Sequence, residues 1–80
     1  MGSEKRINDQ RYIAIGLKVA YYRKLNGLTQ EQLAERINMS TRYISKVETL
    51  SIAQPVSLKT LFTIADLFKI SPDTMLDFRM

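Results

Sequence analysis

The 80-residue sequence contains no cysteine and no histidine. Without cysteine there are no disulfides and no thiolate metal sites. Without histidine the chain lacks the commonest general base and the commonest metal ligand. Its three glycines stand apart and cannot build the glycine-rich loop that cradles a nucleotide phosphate. No nucleophile–base pair is visible either. The expectation is a protein that is not an enzyme, with no cofactor, no metal and no small-molecule substrate. No apolar run approaches the ~20 residues a membrane span requires, and no signal peptide is present. The expected setting is cytoplasmic, with no membrane partner. Internal repeats, low-complexity stretches and interdomain linkers are missing too.

What remains is an ordinary composition for one small domain, 45% apolar and 25% charged, near the lower end of what folds without staples. The net charge of +4 is unevenly spread. Residues 1–48 hold nine cations against five acids, whereas residues 49–80 balance three against three. A basic excess confined to one part of the chain points towards an anionic partner such as nucleic acid, with a plain solvated surface as the alternative.

Residues 1–8 read as a flexible arm or the remnant of a tag, in which Lys5 and Arg6 are candidates for phosphate contact. Residues 9–80 read as the folded domain. From Asp9 the pattern is helical: Ile15, Val19 and Tyr22 lie at i, i+4, i+7, with Tyr12 one turn before and Leu25 one turn after. Gly16 inside this helix costs roughly 1 kcal/mol against alanine, which implies close packing at that point. Asn26-Gly27 is a helix-stop signal, after which Leu28 is expected to tuck inward. The neighbouring Tyr21 and Tyr22 raise base stacking as a possibility. Adjacent helical residues point in different directions, so Tyr22 reads more simply as core and Tyr21 as partly exposed.

The most informative stretch is Thr29–Thr49. Thr29 with Gln32 three places on forms a capping box. Leu33, Ala34 and Ile37 make one apolar face, and Asn38 suits the left-handed backbone of a sharp turn. Met39 is an apolar plug, and Ser40 caps a second helix in which Ile44 and Val47 face the core. Arg42 and Lys46 fall on the opposite side, with Ser45 and Thr49 beside them. After a loop containing Pro55, Ser57 caps a helix with Leu58, Leu61, Phe62, Ala65 and Phe68 on its apolar face. Ser71, Pro72 and Asp73 start a short last helix, in which Met75, Leu76 and Phe78 are unusually greasy. The fold class expected is all-α, a bundle of five short helices.

The segment 29–49 resembles the helix-turn-helix of the phage Cro and lambda-type repressor family, also called the xenobiotic-response-element family. Gln30, Leu33, Ala34, Ile37, Met39, Ser40, Ile44, Val47 and Glu48 carry the likeness, which extends from about Ile15 to Phe78. Asn38 and Leu50 depart from it, both standing where the family often has glycine. The segment RYISKVE and the short length are weakly similar to small repressors and to controller proteins of restriction–modification systems.

The resemblance implies a compact lambda-repressor-like bundle that binds double-stranded DNA as a transcriptional regulator, a repressor in the first instance. Helix 29–37 would lie across the sugar-phosphate backbone while helix 40–49 enters the major groove. The N-terminus of helix 29–37 would bring free N–H groups to a phosphate, with Gln30 as side-chain clamp. Thr41, Arg42 and Lys46, with Ser45, would contact bases; Ser40, Tyr43 and Thr49 would contact the backbone. Tyr43 can equally pack at the core edge. Arg23 would pair with Glu48, tying the first helix to the third, in preference to touching phosphate. Glu31 and Glu35 would repel phosphate and so should face away from DNA. A homodimer on a near-palindromic operator is expected, with Met75, Leu76 and Phe78 at the interface; for Met75 and Phe78 a place in the core is the alternative. A competing reading is a protein–protein adaptor of the same fold without sequence-specific DNA binding.

Overall fold

The structure, a computed structural model, describes residues 10–49 and 53–77. The N-terminal arm, Leu50 in the loop and Phe78 lie outside the described residues. Five helices follow in order: α1 (Gln10–Leu25), α2 (Gln30–Arg36), α3 (Thr41–Glu48), α4 (Leu58–Phe68) and α5 (Pro72–Met75). Among the described residues there is no strand, and no helix is long and apolar enough to cross a membrane.

Local signals set the helix ends. The Thr29 hydroxyl accepts from Gln32 N at 3.0 Å while Gln32 Oε1 accepts from Thr29 N at 2.8 Å, so the capping box is closed in both directions. Ser40, Ser57 and Ser71 each accept a backbone N–H at the start of α3, α4 and α5. Gly27 and Asn38 both adopt positive φ, at 70° and 59°, where the chain reverses after α1 and after α2. Lys69 also turns left-handed, φ 58°, to end α4 without a glycine.

α3 packs against both α1 and α2, and α4 with α5 closes over α1. Leu33, Ile44, Leu61, Ile64, Met75 and Val19 are the largest fully buried side chains. Several apolar residues lie elsewhere than expected. Leu25, at 65% exposure, ends α1 facing solvent, and Phe62 points outward from α4 while Ile64 takes the core position. Met39 is exposed in the turn rather than plugged inward. Helical period identifies a face only when the opposite side is polar. In α1, Leu17, Tyr21 and Leu25 form a second apolar ridge behind the buried Ile15, Val19 and Arg23.

Gly16 lies where α1 crosses α3. A Cβ built on it would collide with the Val47 carbonyl, a backbone atom that cannot swing aside. The closeness of the two helices therefore depends on the missing side chain. Gly16→Ala is expected to lower stability by about 1–3 kcal/mol through overpacking. Helix propensity alone would raise stability by about 1 kcal/mol. The sign of the change in urea denaturation separates the two.

Candidate nucleic-acid interface

α3 has eight residues, too few to persist as an isolated helix. It is held from behind by Ile44, with no exposed surface, and Val47, 2% exposed. Burial of such side chains contributes roughly 1.5–3 kcal/mol each. Its first turn is fixed by Ser40, whose hydroxyl accepts from Tyr43 N at 3.0 Å. Thr41, Arg42, Ser45 and Lys46 are all exposed on the far side. Each pair four apart, Thr41 with Ser45 and Arg42 with Lys46, is stacked one turn above the other.

The single acid of α3, Glu48, is turned inward. Arg23 Nε donates to Glu48 Oε2 at 2.7 Å and Arg23 Nη2 donates to Oε1 at 3.0 Å, a two-pronged pair with side chains 11% and 5% exposed. Arg23 Nη1 also donates to the Leu28 carbonyl at 2.7 Å, which secures the α1–α2 turn. The guanidinium is thus directed into the protein, away from any phosphate. With Glu48 neutralised, the exposed charges of α3 are Arg42 and Lys46 alone.

Gln30 opens α2 and is half-buried; its Nε2 donates to Glu48 Oε1 at 3.0 Å. An amide nitrogen has two hydrogens, so a second N–H remains for an outward acceptor. The capping box already occupies the backbone N–H groups of Thr29 and Gln32, so this helix end offers fewer free donors than its position suggests. Tyr43 is half-buried against the core, with its hydroxyl near the Thr60 side chain. Burial pushes that hydroxyl above its usual value near 10, and the nearby Thr60 side chain partly offsets the rise. Thr49 Oγ1 donates to the Ser45 carbonyl at 2.7 Å, so donating to a phosphate requires it to leave its own helix.

Glu31 and Glu35 do not sit on a remote face. They line one groove with Gln32, Ala34, Met39, Ser40 and Thr41, so two carboxylates border the N-terminal end of α3. Met75 is fully buried within the chain and belongs to the core, not to a dimer face: its unbranched side chain fills the space under α5. Leu76, beside it, is 39% exposed, and Phe78 lies outside the described residues. Residues that sequence reasoning missed are Thr60, which meets Tyr43, and Lys18, whose ammonium binds the end of α5. Neither has a local sequence signal, because both act across long chain separations. Among the described residues no cluster of acids could hold a metal.

A family model described as Helix-turn-helix matches residues 19–75. Solved structures that share the fold include the following three. The restriction–modification controller protein C.AhdI from Aeromonas hydrophila is 26% identical, TM-score 0.72, over 82% of this chain and 97% of its own. The clp gene regulator ClgR from Corynebacterium glutamicum is 25% identical, TM-score 0.75, over 86% and 71%. SinR, a master regulator for biofilm formation solved in complex with DNA, is 30% identical, TM-score 0.70, over 79% and 98%. No curated protein matches the chain.

The buried pair gives a direct prediction. Arg23→Met leaves the Glu48 carboxylate buried without its cation, and stability is expected to fall by about 3–5 kcal/mol. Changing both residues to methionine should recover most of that loss, since no charge is then stranded. Thermal denaturation of the two variants is the check. Equal destabilisation of the single and double variants would contradict it.

Proposed function

Because the chain belongs to the helix-turn-helix family of Cro- and lambda-type regulators, we propose that it is a transcriptional regulator, a repressor, that binds double-stranded DNA sequence-specifically. The observation that carries the reading is the outward face of α3, where Arg42 and Lys46 are exposed while the helix's own acid is buried and paired. In this reading α3 enters the major groove and α2 lies across the sugar-phosphate backbone. Arg42 binds O6 and N7 of a guanine through two parallel hydrogen bonds, and Lys46 reaches a second guanine or a phosphate. The Thr41 methyl packs on a thymine methyl, and Ser45 lies between the two cations. Gln30 clamps a phosphate with its remaining N–H. Ser40, Tyr43 and Thr49 complete the backbone contacts, Thr49 after releasing Ser45. Such a protein works in the cytoplasm, where the DNA is.

Eight helical residues span about 12 Å, which covers only ~4 base pairs at about 3.4 Å each. A site that short recurs throughout any genome, so the functional unit is a homodimer on a near-palindromic operator. Its half-sites lie about one helical turn apart. The dimer surface in this reading is formed by Leu58, Phe62 and Leu76, with Phe78 following in the sequence. Leu58, four residues before Phe62 on α4, shares a largely apolar groove with Leu76, Tyr12, Ile15, Val56 and Leu61, with Arg11 also lining it.

The adaptor reading draws support from the exposed ridge Leu17, Tyr21 and Leu25 on α1. That ridge lies opposite the side of α1 that packs on α3, so a protein docked there would leave the reading helix clear.

Selection of bound duplexes from a random pool, at two salt concentrations, tests the DNA reading. The expected result is a consensus with dyad symmetry. Arg42→Ala should relax the preference at one position per half-site, by ~1–3 kcal/mol. Gln30→Ala should weaken binding across all sequences alike. Salt-sensitive binding with no consensus would reduce the surface to a generic cation patch. For the dimer, Leu76→Glu should produce a monomer in analytical ultracentrifugation, with operator affinity lost in parallel.

A further inference from the structure

We infer that Lys18 fixes the dimer-forming end of the molecule, acting as the C-cap of α5 from the other side of the fold. The inference rests on the dimer surface proposed above. α5 has four residues, a single turn that cannot hold its own shape in water. Its N-terminal end is secured by Ser71, whose hydroxyl accepts from Asp73 N at 3.2 Å. At its C-terminal end the Leu76 N–H reaches back to the Pro72 and Asp73 carbonyls, which leaves the following carbonyls to find donors elsewhere. Lys18 Nζ, on α1, donates to the Thr74 carbonyl at 2.6 Å and also to the Asp77 carbonyl. One ammonium with three hydrogens thus closes the end of a helix that lies more than 50 residues away in sequence. Its positive charge also matches the negative end of the helix dipole.

The placement matters because of what lies between the two bound carbonyls. Leu76, an exposed residue of the proposed interface, sits inside the span from Thr74 to Asp77, and Phe78 is the next residue in the sequence. Met75 is the one side chain of α5 that is fully buried in the core. One apolar peg prevents α5 from leaving but not from pivoting, whereas a peg and a charged clamp together set its direction. A twofold interface uses the same surface twice, so a misdirected α5 is counted on both protomers. Lys18 is therefore a positioning residue for assembly, and neither carbonyl it binds belongs to α3, the part proposed to read DNA.

The test compares the full chain with Lys18→Met, Lys18→Arg and Leu76→Glu. Readouts are the dimer dissociation constant from analytical ultracentrifugation, amide exchange along the chain, and binding of a generic short duplex at low salt. Lys18→Met is expected to raise the dissociation constant by about tenfold or more, a loss of ~1.4 kcal/mol. Exchange should quicken in α5 while α2, α3 and the duplex affinity stay unchanged. Lys18→Arg, which keeps charge and donors, should restore the dimer. A wild-type-like dimer in Lys18→Met overturns the inference. So does a loss of protection spread evenly over all helices, which would mark a merely structural lysine. If the wild type is monomeric, or Leu76→Glu stays dimeric, the dimer surface itself is wrong and the inference falls with it.

Discussion

The carboxylate of Glu48 is the point on which three helices converge. It receives two hydrogen bonds from Arg23 on α1 and one from Gln30 on α2, while its own backbone ends α3. A buried ion pair returns little net stability, because desolvation offsets the attraction. Its value lies in geometry. A forked guanidinium accepts one arrangement of a carboxylate, and so fixes how α3 is rotated and how far it stands from α1. The same carboxylate sets the direction of the Gln30 side chain, so α2 and α3, the two helices of the helix-turn-helix, are oriented by one group.

Gly16 and Val47 supply the complementary constraint of distance. The polar tie can form only if the helix axes come close, and the missing side chain at Gly16 allows that approach. Ile44 and Val47 then spend the apolar side of α3 on the core, which leaves the opposite side wholly for Thr41, Arg42, Ser45 and Lys46. Position, rotation and exposed chemistry of one short helix thus follow from a glycine, an acid and two aliphatic residues.

The features legible in the sequence were the local ones. Thr29 with Gln32, and Ser40, Ser57 and Ser71, act within three residues of themselves, so their capping roles are written in adjacent letters. Asn38 is similar, since few residues tolerate its backbone. Leu25 and Phe62 were misplaced because an apolar residue at helical spacing can face either way when both sides of a helix are greasy, and Met39 because a turn residue has no periodic face to follow. The structure places Gln30 on Glu48, Tyr43 beside Thr60, and Lys18 at the end of α5. These meetings depend on how helices cross, which no local pattern encodes. The same holds for Glu31 and Glu35: their spacing puts them on one face of α2, but which neighbour that face meets is a tertiary fact.

Those two carboxylates border the groove that also holds Ser40 and Thr41, beside the cationic side of α3. A polyanion approaching this region would meet both attraction and repulsion, and the balance would turn on alignment. If α3 reads DNA as proposed, a strand seated squarely on Arg42 and Lys46 would keep its phosphates clear of the acids, while one displaced or tilted would bring them into conflict. Such a fence would lower grip on random sequence more than on a well-seated site, which would shorten idle residence and leave more free molecules to scan the genome.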